Sequence, residues 1–373
     1  MNEILFIITK NKELNKVKKK ISLIAGVVVI FALAIFAYNN TSSASFPSSE
    51  EYKNSPEVQK KFNEMGNKRI LSELNNVVEI ASLTSSETEL YDITTELFER
   101  KEKISNPELF DFIKDKSNLS VSKMIIVDII NNKDKKIQEK SKILDLVTNS
   151  EVEGDVRAKL IASYPFEQSD EQVLENLFNK EKGLVAFHTL KKISEINDKN
   201  GYEISQEILT NYSSSVDKQK VAAALQASSE FLKDNKDAIS LNDEQQFIET
   251  SNTIYSKETE PILKDTAFFA ISNLMSSTAI SKIILDKDIE KELKMFAIDQ
   301  NYSVLKQMIS KPTKQENTEI VIEAMGILPI IELKEDLQNV DSKNLNEEFQ
   351  KKLEVAISKI EKEGINANLK WSE

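Results

Sequence analysis

The chain has 373 residues, 40% of them hydrophobic, enough for one large or two medium globular domains with a sizeable core. It contains no cysteine, which excludes disulfides, thiol nucleophiles, iron–sulfur clusters and cysteine-bound zinc. The net charge is −12, of which the first 20 residues (six lysines, two glutamates) contribute +4. Subtracting that excess leaves −16 on the remainder, a sign that repels polyanions and excludes nucleic acid as a partner.

Residues 1–20 are basic, with Lys10, Lys12, Lys16, Lys18, Lys19 and Lys20 leading into an uncharged apolar run from Ile21 to Tyr38. As a helix, that run spans about 27 Å, close to the hydrocarbon thickness of a bilayer. Lysines on its N-terminal flank, and no charge after it until Glu50, place the N-terminus in the cytoplasm and the rest outside. The length suits a retained transmembrane signal anchor over residues 21–38. The alternative is a cleaved signal peptide: Ser42-Ser43-Ala44 offers a small-residue site, and cleavage near Ala44 makes the protein secreted. Residues 39–55 are small and polar and read as a flexible stalk.

Residues 56–363 read as one helical body. Glycine and proline are too sparse for a β-sandwich and suit helices joined by tight polar turns. Ser55-Pro56-Glu57 and Asn106-Pro107-Glu108 put a cap, a first-turn proline and an acid in helix-opening order, and Glu260-Pro261 repeats the proline device. Val173, Leu174, Leu177 and Phe178 share one helix face, as do Leu345, Phe349, Leu353, Ile357 and Ile360. The spacing predicts 15 to 18 helices. Polar stretches at 197–201 and 233–237 are candidate seams, but neither is long enough for an interdomain linker, so one continuous array is expected.

Internal echoes carry a family resemblance. Asp155-Val-Arg-Ala-Lys-Leu-Ile-Ala162 resembles the segment that opens the second helix of HEAT repeats. Residues 263–274 share its small-residue spacing around Ala267 and Ala270, and residues 220–225 and 322–328 echo it more faintly. The resemblance covers about residues 120–335, while residues 57–115 show no echo. It implies an all-α fold of helical hairpins stacked as an irregular superhelix, preceded by the transmembrane or signal helix. An irregular helical domain is the competing expectation.

The only histidine, His188, lies in an apolar helix with Leu184, Val185, Phe187, Leu190 and Ile193, and is read as a structural residue rather than a general base. One histidine cannot build a histidine zinc site. Asp234-Asn235-Lys236-Asp237 and Asp286-Lys287-Asp288 fall short of a calcium loop and read as turn and cap acids. No two glycines stand close enough for a phosphate loop, so no nucleotide is expected. No catalytic, cofactor-binding or metal residue is predicted, and no cofactor. Residues 364–373 form a tail whose Trp371, the sole tryptophan, is expected to dock on the last helix.

These observations lead to a membrane-anchored, extracytoplasmic helical scaffold that binds another protein and is not an enzyme, with the membrane engaged through residues 21–38. The alternative is an exported carbohydrate-active hydrolase or lyase of helical-toroid fold, which would need two close carboxylates among aromatic platforms.

Overall fold

A computed structural model describes residues 62, 65–84, 88–133, 140–213, 216–236, 239–310 and 314–367. The apolar segment 21–38, the Ser42–Ala44 site and Trp371 lie outside them. The described residues hold 18 α-helices, three short 3-10 turns and no strand; their only β-type pairing is a single bridge between Ile330 and Ile365. No helix among them is long and apolar enough to cross a membrane.

The described chain divides into two compact bodies, one of residues 62–201 with 216–223, the other of 202–213 with 224–367. One of the two sequence seams, at 197–201, falls at this division.

In the first body, α1 (Asn67–Thr84) packs on α2 (Thr88–Glu99) and buries Ile70, Leu71, Leu74, Val77 and Val78, the three-and-four spacing of a core-facing helix. Three further hairpins follow: α3 (Asn106–Lys114) with α4 (Ser120–Asn131), α5 (Lys140–Thr148) with α6 (Gly154–Ser163), and α7 (Glu171–Lys180) with α8 (Gly183–Ile196). The second helices also stack on one another, α4 on α6 and α6 on α8. The hairpins are therefore stacked, each second helix against its neighbour. Asp155-Val156-Arg157 opens α6, the second helix of its hairpin, as the resemblance implies.

The sequence places the cap of α3 at Asn106, but the cap is Ser105. Its hydroxyl accepts from the Glu108 N–H, and the Glu108 carboxylate accepts from the Ser105 N–H at 3.0 Å. Glu108 can reach back only from the third helical position, which fixes the cap one residue earlier. Glu260 and Pro261 stand in their expected cap and first-turn positions.

Charge fixes the register between hairpins. The fourth residue of α4 is Lys123, 1% exposed, whose ammonium reaches both Glu153 oxygens at 2.7 and 2.9 Å in the turn before α6. The fourth residue of α6 is Arg157, which donates to the Val152 carbonyl at 3.1 Å and forks onto Glu181 at 2.8 and 3.1 Å, in the turn before α8. A third rung links Asp217, which accepts from the Gly183 N–H at 3.1 Å. Lys159 on α6 also meets Asp128 on α4.

α8 and α9 (Asp198–Thr210) are separated by Asn197 alone. The reversal brings residue 201 against α8, where a Cβ would stand 2.6 Å from the Ser194 Cα, so only glycine fits.

In the second body, α11 (Leu241–Lys257) packs on α12 (Pro261–Asn273) and α13 (Ser277–Leu285) on α14 (Lys291–Gln300). Further along, α15 (Tyr302–Ser310) packs on α16 (Gln315–Ile327), and α17 (Lys334–Gln338) and α16 on α18 (Glu347–Glu363). The remaining helix, α10 (Lys218–Asp234), contributes residues to both bodies. α18 buries Leu353, Ala356 and Ile360 as its periodicity requires, while Leu345 is buried just before the helix.

Glu181→Ala leaves the Arg157 guanidinium buried without its carboxylate. It is expected to destabilise the first body by about 3 kcal/mol, the scale for breaking a buried pair from one side. Urea unfolding followed by circular dichroism checks this; an unshifted transition would show that the fork does not hold the register.

Candidate functional site

The second body carries a half-open cleft of about 300 Å³ to which α10, α12 and α14 contribute. Phe269 of α12 and Phe296 of α14 are half-buried and meet edge to face, ring centroids 5.4 Å apart at 87°. Met275, from the turn after α12, adds a third apolar side chain. Polar groups come from Gln226 and Ser229 of α10, Asn273 of α12 and Gln300 of α14. Glu230 is the one charged side chain in the lining.

Buried polar contacts hold these walls in place. The Ser229 hydroxyl donates to the Ala270 carbonyl at 2.8 Å and accepts from the Asn273 amide at 3.2 Å, tying α10 to α12. Asn301, 1% exposed and capping the end of α14, donates to the Ser272 carbonyl at 3.2 Å and the Ala297 carbonyl at 3.0 Å. It thereby ties α14 to α12 and sets the Phe269–Phe296 contact.

Only Leu274, Met275 and Ser276 separate α12 from α13, and the reversal puts Met275 at φ 49°, the left-handed region that side chains disfavour. Its carbonyl accepts from the Lys236 ammonium at 2.9 Å. The Ser276 hydroxyl accepts from the Ala279 N–H at 3.1 Å, capping α13, and pairs with Glu244. One turn before Phe269, burial pushes the Asp265 carboxyl up to about 6, with Lys264 opposing the shift and Glu290 adding to it.

The residues weighed in the sequence lie apart from this cleft or at its margin. His188 is buried in α8, 4% exposed, edge to face with Phe187 at 5.2 Å. Burial, then Lys191 and Lys192, push its pKa down to about 4, so the ring is neutral near pH 7. The Asp286 carboxylate accepts from the Asp288 N–H at 2.9 Å, the geometry of a turn acid. Lys236, read as part of a polar seam, anchors the Met275 turn instead. Among the described residues, no three histidine, aspartate or glutamate side chains converge as a metal site.

Sequence reasoning missed the cleft itself. Ala267 and Ala270 drew notice to α12 for their small size, but Phe269 beside them reads as core until α14 is known to cross it. The sequence matches no protein-family model, and no curated protein is significantly similar to it.

His188 is the chain's single imidazole, so its titration can be followed alone. Its folded pKa lies below the unfolded value, so the unfolded chain takes up the proton first. Stability is therefore full above about pH 6.5 and falls as pH drops toward 4, by about 3 kcal/mol in all. An NMR titration should give a midpoint near 4, and His188→Leu should remove that part of the acid dependence. A midpoint near 6.5 would contradict the burial.

Proposed function

We propose that the protein is a membrane-anchored helical scaffold that holds another protein on the extracytoplasmic side, without catalysis of its own. The observation that carries this reading is the cleft of the second body. An aromatic pair fixed by buried hydrogen bonds and ringed by amides is the composition of a side-chain anchor site on a protein interface. The basic stretch before residues 21–38 supports the location, and the repeated hairpins, with their HEAT-like Asp155–Arg157 opening, support a stacked array that offers extended surface.

An exported carbohydrate-active enzyme fits the cleft less well. Glycoside hydrolysis uses two carboxylates across the scissile bond, and Glu230 alone lines this space.

Cross-linking on intact cells that make the protein is expected to capture a defined partner. Phe296→Ala with Gln300→Ala is expected to cut the capture about tenfold, the cost of one truncated anchor, with helical content unchanged by circular dichroism. Equal capture by the variant would remove the cleft from the interface. External protease should digest the helical bodies on unbroken cells; their survival would end the extracytoplasmic assignment.

A further inference from the structure

We infer that Asn200–Gly201 is a latent modification site: folding of the first body holds it unreacted, and a chain opened at this point loses the Asn200 side-chain amide irreversibly. Asn200 is the only asparagine in the chain that a glycine follows. With no side chain on the second residue, the glycine nitrogen can close on the asparagine Cγ, which makes this pair the most reactive setting for deamidation.

The packing requires both members of the pair. A Cβ at 201 would stand 2.6 Å from the Ser194 Cα of α8, so glycine is fixed there. At 200 the side chain meets two half-buried carboxylates of α7, its Nδ2 donating to Glu171 Oε1 and to Glu175 Oε1, each at 2.6 Å. A short neutral donor serves both acids. Aspartate has the same shape but only accepts when ionised, and it would add a third negative charge.

In the reaction the Gly201 nitrogen attacks the Asn200 Cγ. An N–Cγ bond forms, the Cγ–Nδ2 bond breaks, and Nδ2 leaves as ammonia with the proton that Gly201 gives up. Water then opens the cyclic imide at either carbonyl. The product is aspartate or, with the main chain rerouted through the side chain, isoaspartate.

The folded chain opposes the first step in three ways. The nucleophile is committed, because the Gly201 N–H is buried and donates to the Asn197 carbonyl at 3.0 Å. The amide under attack is tethered to α7 by Glu171 and Glu175. The backbone is helical at the first turn of α9, where the Asn200 N–H donates to Asn197 Oδ1 at 3.2 Å, and it is denied the extended torsion that ring closure needs. All three are lost together when this turn opens.

The product does not restore the contact. Glu171 keeps its donor from Asn197 at 2.7 Å, but the Asn200 donor to both acids is gone and a carboxylate faces them instead. Deamidation at 200 therefore marks, permanently, chains that have been open at this turn.

The test incubates the full chain in detergent micelles in mildly alkaline buffer, with and without unfolding urea. After digestion at mildly acidic pH, where the reaction is slow, the peptide spanning residues 200 and 201 is followed by mass spectrometry. Conversion of Asn200 is expected to be at least about tenfold faster in urea than in the folded chain. In urea it should precede that of every other asparagine. Asn200→Asp is expected to lower the urea midpoint, and by more than Asn200→Ala does.

Equal rates with and without urea would overturn the inference, as would earlier loss at another asparagine in urea. So would an Asn200→Asp chain that unfolds at the same urea concentration as the parent. The rate comparison uses the unaltered chain, so it decides the matter whether or not the substituted chains fold.

Discussion

A cation taken out of water must be met by an anion, and that constraint organises the first body. Lys123 and Arg157 stand at the same position of successive second helices, and each is too deeply placed to keep a hydration shell. Glu153 and Glu181, each in the turn of the next hairpin, complete them. Apolar packing would tolerate small rotations of one hairpin on another, since it is indifferent to direction. The forked contact of Arg157 is not indifferent, because its planar guanidinium meets a carboxylate well in few orientations. The pairs therefore set position more than they add net stability, given the desolvation they cost. The fourth residue of α8 is Ala186, fully buried, so the ladder of side-chain cations stops at the helix where the first body's hairpins end.

The second body solves a related problem with neutral groups. Ser229, Asn273 and Asn301 bridge three helices through hydroxyls and amides, and the aromatic contact of Phe269 with Phe296 depends on the crossing they define.

Much of the helical content is written in local signals. Scarce glycine and proline, the Pro261 opening, and the face of Leu174, Leu177 and Phe178 all depend on near neighbours, and all coincide with structure. The Asp155–Arg157 segment stands at the start of a helix, the second of its hairpin. What was hidden depends on partners distant in sequence. Ser105 in place of Asn106 as the cap follows from a side chain three residues on and is recoverable on closer reading. Arg157 and Glu181 lie 24 residues apart with no pattern to join them. The cleft needs residues from α10, α12 and α14 at once, and the phenylalanines that mark it have the spacing of ordinary core. The polar stretch 197–201 marks the place where the two bodies divide, but it is too short to read as a linker from sequence alone.

Because the principal helix contacts join elements that are near neighbours along the chain, the fold has low contact order, and hairpins of this kind close within microseconds to milliseconds. Each pair can form as soon as its second helix is synthesised, well before the C-terminal residues exist. For a chain proposed to pass through a membrane, that speed sets threading against premature folding. A hairpin that must wait for the next turn to neutralise its buried cation is, until then, the slower to lock, which leaves the early segment pliable for the passage.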